Sequence, residues 1–140
     1  MSCSFRRGLA WLLLSFVIFP APAAAQVRRV VLLYDERTEL PGLAILDARL
    51  VRTLRAGAPG VEVYREAMDL SRFQSDGYQH LLKDYLREKY ADKRIDVVIA
   101  ALGPALDFML AHGPEVYPGA SVVFCGIDRR DLGAPFVDAQ

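Results

Sequence analysis

The sequence predicts an α/β fold: a three-layer sandwich with an open parallel sheet. Two continuous apolar runs, at residues 30–34 and 97–102, are typical of strands buried on both faces. Helical patterns separate the strand candidates, and the resulting strand–helix alternation predicts parallel strands joined by right-handed crossovers. A third strand candidate alternates in polarity and belongs at the sheet edge, so the flavodoxin-like order 2-1-3-4 fits best.

The first two elements are a buried strand and an amphipathic helix. Residues 27–34 form the strand. Pro41 suits a helix start and Gly57 a helix end. The helical face between them is built from leucines at positions 43, 46, 50 and 54.

The next two elements are an edge strand and a second helix. Residues 61–65 alternate between apolar and polar side chains, which indicates a strand with one wetter face. Ser75 or Asp76 can cap the helix that follows. Its apolar stripe is predicted at Tyr78, Leu81, Leu82, Tyr85 and Leu86.

The third strand, residues 97–102, leads into Gly103 and Pro104, which permit a tight turn and a helix start. Residues 105–111 are predicted as a short apolar helix. Gly113 and Pro114 are interpreted as part of the following link, and residues 121–127 as the fourth strand.

The N-terminal segment has the pattern of a secretory signal peptide. A basic pair, Arg6 and Arg7, precedes an apolar run at residues 9–19 and small residues at 21–25. The run is about half of the roughly 20 residues that a membrane span needs. We therefore expect residues 1–25 to direct export to the periplasm or another extracytoplasmic space, with a membrane anchor as the outcome if cleavage fails. Residues 26–140 form the expected domain.

Composition excludes two classes of protein. The 140-residue chain is 53% hydrophobic and has a formal net charge of zero. It has no basic stripe, so a nucleic-acid partner is not expected. Only Cys125 remains after the signal segment, which excludes an intramolecular disulfide and a disulfide-stapled module.

The candidate catalytic residues do not match the pattern of a known type of catalytic or metal site. The pair Asp35 and Glu36 resembles the acidic pair of a response-regulator receiver, but the third strand ends without the aspartate that metal binding there needs. Cys125 lies in an apolar strand, and no third group orients His112 as its base. His80 and His112 lack the spacing of metal ligands. The sequence therefore predicts no catalytic residue, no metal site and no cofactor.

The turn at Gly103 and Pro104 is the remaining ligand signal that the residues themselves provide. It lacks the glycine pattern of dinucleotide-binding or Walker loops. The free N–H groups at the start of the following helix could accept a ligand carboxylate or another anion. The alternative is that Gly103 and Pro104 form an ordinary strand-to-helix turn without a ligand, because every fold of this class contains such turns.

Several segments together resemble a known family. They are residues 34–43, 69–73, 94–100, 103–108 and 122–128. They resemble the N-terminal lobe of periplasmic ABC-transporter substrate-binding-like domains, and more closely the version found in the sensor region of bacterial membrane histidine kinases. The resemblance implies a type I periplasmic-binding-protein fold, in which two lobes close on a small molecule. Carried over by position, the ligand-binding residues would be Asp35, Glu36, Arg37, Asp69, Gly103, Pro104, Gly126 and Asp128.

The resemblance implies an exported small-ligand sensor, an input module for two-component signalling, truncated before its second lobe. Its expected partners are a small-molecule ligand and a membrane kinase. A solute-binding component of an ABC importer, with a permease as partner, is an alternative with the same fold. A small exported α/β enzyme using Asp35, Glu36 or Cys125 is an alternative from another class.

Overall fold

The structure, a computed structural model, describes residues 27–127. The predicted signal segment, residues 1–25, and the predicted site residue Asp128 lie outside this range. The elements are β1 (Arg29–Tyr34), α1 (Pro41–Gly57), β2 (Glu62–Ala67), α2 (Asp76–Lys89), β3 (Val97–Ala101), α3 (Gly103–Val116) and β4 (Ser121–Cys125). All strand pairs are parallel, and the order is β2-β1-β3-β4. The predicted α/β class and strand order are confirmed.

β1 lies inside the sheet because its side chains are apolar on both faces. Its backbone pairs with β2 on one side and β3 on the other, so that Val31 lies between Tyr64 and Val98. Residues 30–34 are all buried. The polar β2 takes the edge position beside β1, as its alternation predicts.

The helices cover the two faces of the sheet unequally. The leucine face of α1 packs on one face, against Leu32 and Ile99. Helices α2 and α3 pack on the other, where Leu86 and Phe108 meet Val98. This division follows from right-handed crossovers, because the chain moves one way from β1 to β2 and the other way from β2 to β3 and β4.

α3 is longer than predicted. It runs to Val116, so Gly113 and Pro114 lie inside the helix rather than in a link. Buried Val116 and Tyr117 anchor the last turn in the core. A proline disfavours helical conformation in the preceding residue partly through that residue's Cβ, and Gly113 has none.

The predicted stripe of α2 is too wide. Tyr78, Leu82 and Leu86 pack on the core, whereas Leu81 and Tyr85 are exposed. Only a narrow face of α2 packs on the sheet, because α3 lies beside it and covers the rest of the same face. Ser75 is the N-cap and accepts a hydrogen bond from the N–H of Tyr78.

None of the three helices in the described range is both long enough and apolar enough to cross a membrane.

The contrast within α2 gives the first testable prediction. Leu86→Ala removes a side chain with 0% exposure and should lower the free energy of unfolding by about 2–5 kcal/mol. Leu81→Ala, at a position with 68% exposure on the same helix, should change it by about 0.5 kcal/mol or less. Urea unfolding followed by circular dichroism measures both. Equal losses for the two variants would contradict this packing of α2.

Candidate functional site

The loops that follow the four strands meet at the carboxyl edge of the sheet, where open parallel sheets bind ligands. Both non-glycine residues of positive φ among residues 27–127 lie there: Asp69 at 50° and Leu102 at 72°. Gly126, after β4, has a φ of 71°. Unusual backbone conformations are common at ligand sites, so this edge is the candidate functional site.

The structure brings three of the predicted residues into one depression. Glu36 and Arg37 follow β1, and Asp69 follows β2; together with Leu40 and Arg72 they line a volume of about 220 Å³. The lining therefore carries two carboxylates and two guanidinium groups. Such a lining can hold a polar ligand through hydrogen bonds to charged groups, which are stronger than those between neutral groups.

Asp69 has unused hydrogen-bonding capacity. Its Oδ1 is buried and accepts no hydrogen bond within the described part of the chain, and Arg72 Nη1 lies 4.0 Å from it. The side chain as a whole is 28% exposed. A buried carboxylate oxygen without a donor is costly, so a ligand N–H, O–H or cation at this position would relieve that cost.

The loop that carries Asp69 is held in place from both sides. The N–H groups of Arg72 and Phe73 both donate to the carbonyl of Asp69, at 3.0 Å each, which closes a tight turn. The hydroxyl of Tyr78 on α2 donates to the carbonyl of Met68 at 2.7 Å. Burial, with a smaller contribution from Asp69, raises the pKa of Tyr78, so the hydroxyl stays a donor at neutral pH.

Asp35 lies beneath the depression instead of lining it. It is 2% exposed, and its carboxylate accepts hydrogen bonds from the Ser71 N–H, at 2.8 Å, and from the Ser71 hydroxyl. These bonds tie the end of β1 to the loop after β2. The arrangement gives Asp35 a positioning role toward Asp69 and Arg72.

Pro104 lines a second depression, of about 210 Å³, on the other side of the same loop. Its lining comes from the loop after β2 and from the facing parts of α2 and α3: Leu70, Ser71, Gln74, Gln79, Pro104, Asp107 and Phe108. Gly103 is half-buried beside it, and a Cβ at this position would meet no atom within 4 Å. Gly103 therefore borders open space at the start of α3.

Gly126 lies directly after β4, next to Leu102 at the end of β3. The N–H of Leu102 donates to the carbonyl of Cys125 at 2.9 Å, and a Cβ on Gly126 would lie 3.1 Å from Cδ2 of Leu102. Gly126 lines neither of the two depressions. Its place in the structure is a close contact with Leu102.

Sequence reasoning missed Arg72, Ser71 and Gln74 as lining residues. Arg72 and Ser71 belong to the segment 69–73 that carries the family resemblance, but only Asp69 was carried over by position. The tight turn at Asp69 returns the loop toward β1, and this places Arg72 beside Glu36. The signal that could have identified these lining residues is a group of hydrogen-bonding side chains directly after a strand.

A larger depression lies elsewhere. It has a volume of about 440 Å³ and lies where α2 and α3 end, between residues 87–95 and 115–118. Several of its charges are paired, as in Arg87 with Asp84 and Lys93 with Asp92. We place the candidate site at the carboxyl edge because the loops that follow the strands converge there, including the charged loops after β1 and β2.

The described residues support neither a nucleophilic site nor a metal centre with three or more protein ligands. Cys125 is half-buried, and burial raises the pKa of its thiol, which lowers the reactive thiolate fraction. Residues 27–127 contain no group of three or more His, Cys, Asp or Glu side chains placed to hold a metal ion.

Comparison with known proteins gives no match to this chain among protein families, curated proteins or solved structures.

The link between Asp35 and Ser71 gives a second prediction. Asp35→Ala removes both hydrogen bonds and leaves a donor unpaired, which should lower the free energy of unfolding by about 1.5–3 kcal/mol. Ser71→Ala keeps the backbone N–H bond and should cost about half as much. Urea unfolding of both variants measures these losses. A larger loss for Ser71→Ala than for Asp35→Ala would contradict the assigned role of the carboxylate.

Gly126 gives a third prediction. Gly126→Ala places a Cβ at positive φ and against Leu102, and should lower the free energy of unfolding by more than about 1 kcal/mol. Gly42→Ala is the matched control: it lies in α1, where an added Cβ meets open space, and should stabilise by about 0.4–1 kcal/mol. Thermal unfolding distinguishes the two signs.

Proposed function

We propose that this chain is the ligand-binding lobe of an exported sensor, the input module of a histidine-kinase type of two-component signalling protein. The observation that carries the proposal is the depression at the carboxyl edge. Two carboxylates and two guanidinium groups line it, and one of these carboxylates, Asp69, has an oxygen that accepts no hydrogen bond within the described residues. The strand order and the family resemblance of the sequence support the same proposal.

The mixed charge of the depression favours a small polar ligand. Arg37 and Arg72 can hold an anionic group, while Glu36 and Asp69 can accept hydrogen bonds from N–H or O–H groups. The volume of about 220 Å³ is below the range of about 300–1,000 Å³ usual for small-molecule sites.

Signalling by such a lobe would depend on closure. A second lobe supplies the opposite wall, and a ligand that contacts both walls favours the closed state over the open one. The ligand shifts the conformational equilibrium only by its difference in affinity for the two states. On this proposal the charged groups of the depression supply this lobe's share of that difference.

Thermal unfolding with a panel of amino acids, nucleobases and small carboxylates tests the proposal. A compound that binds only the folded chain, present at a free concentration of about 100 times its Kd, should stabilise the fold by about 2.7 kcal/mol and raise the Tm. The rise should disappear in Arg72→Gln and in Asp69→Asn. Asparagine tolerates the left-handed conformation at position 69, so the second variant should leave the turn intact.

Arg87→Gln is the matched control for these variants. Arg87 is also an exposed arginine beside an aspartate, but it lies at the opposite end of α2 from the candidate site. It should keep the full ligand-induced rise in Tm. A rise that survives in both site variants, or is lost equally in Arg87→Gln, would place the ligand elsewhere.

A further inference from the structure

The two histidines of this chain lie side by side on the helical layer formed by α2 and α3. The ring centroids of His80 and His112 are 5.9 Å apart, with an angle of 57° between the ring planes. His80 is exposed and His112 is half-buried, so solvent reaches the pair. The residues are far apart in the chain, and only the packing of α2 against α3 brings them together.

The backbones that carry the two rings are held in register. One helical turn further along each helix, Lys83 Nζ contacts Glu115 Oε2 at 3.0 Å. Leu86 on α2 and Phe108 on α3 belong to the same buried cluster. The distance between the two histidine positions is therefore set when the core forms, before any ligand is present.

A hydrogen bond defines the free nitrogen of His80. Its Nδ1 lies 2.8 Å from the backbone carbonyl of Asp76. A carbonyl can only accept, so Nδ1 carries the proton, and in the neutral ring Nε2 keeps its lone pair. Histidines that bind metals commonly donate their second N–H to such an acceptor, which orients the ring.

The surroundings of His112 suit a bound cation. Its ring rests against Phe108, with 5.1 Å between centroids. Glu115 follows one turn later, and its pKa is lowered, chiefly by the hydrogen bond from Lys83 and to a smaller extent by His112. Glu115 thus stays ionised and offsets the positive charge of Lys83 next to the pair.

The separation of the rings is compatible with one shared metal ion. Metal–nitrogen bonds of about 2.0–2.1 Å place each ring centre roughly 3 Å from the ion, so two rings on one ion have centres up to about 6 Å apart. The observed 5.9 Å lies at the upper end of this range.

We propose that His80 and His112 together bind one divalent late first-row transition-metal ion and thereby clamp α2 to α3. Imidazole ligands suit Zn²⁺, Cu²⁺ and Ni²⁺. With two protein ligands, water completes the coordination, so the site is open and exchangeable rather than a closed structural centre. This inference is independent of the function proposed for the carboxyl edge.

Titration of the purified, tag-free chain with Zn²⁺ and with Cu²⁺ tests the proposal. Calorimetry should show one saturable Zn²⁺ site, and Zn²⁺ should raise the Tm because it binds only the folded arrangement. The electron paramagnetic resonance spectrum of the Cu²⁺ form should show two imidazole nitrogens. The chain contains two histidines, so a monomer that binds one Cu²⁺ and shows two imidazole nitrogens must bind it through this pair.

The variants His80→Gln and His112→Gln should each abolish the Zn²⁺-induced rise in Tm, with circular dichroism confirming that both remain folded. Arg87→Gln is the control: it removes the exposed ion pair between Arg87 and Asp84 on α2 and leaves both imidazoles, so binding should persist. The proposal is overturned if wild type shows no saturable site, if either histidine variant binds as wild type does, or if the copper spectrum shows a single nitrogen.

Discussion

A parallel sheet must be covered on both faces, and the burial of β1 and β3 between two helical layers is the constraint on which this structure depends. Residues 30–34 have no polar side chain apart from the hydroxyl of Tyr34, which donates to Asp47 on α1. Arg65 of β2 contacts the same carboxylate at 2.6 Å and lowers its pKa. One helix, the central strand and the edge strand are thereby joined at a single point.

The same constraint assembles the candidate site. Parallel strands deliver all their following loops to one edge, so the charged loops after β1 and β2 must meet there. Asp35 and Ser71 join these loops, and after the turn at Asp69 the chain brings Arg72 into the same depression as Glu36. The loop that carries these polar groups is joined to β1 through the buried carboxylate of Asp35.

Local pattern was sufficient for most of the fold. Continuous apolar runs identify the central strands, alternation identifies the edge strand, and Ser75 caps its helix as expected, because these signals depend on neighbours within a few residues. The polar alternation of β2 then favours the edge of the sheet, and the handedness of the crossovers sets which face each helix covers. Residues 36, 37 and 69 were expected at one edge on the resemblance, and they do line one depression.

What remained was decided by contacts between residues distant in the chain. The sequence could not show that Asp35 is buried and bound by Ser71, that α3 continues through Pro114, or that Leu81 faces solvent, since each depends on how neighbouring elements pack. The histidine pair is the clearest case. The sequence by itself determined the strands, the helices and their order, and only the packing of α2 on α3 decided which side chains meet, because that packing is set by volume and burial rather than by spacing.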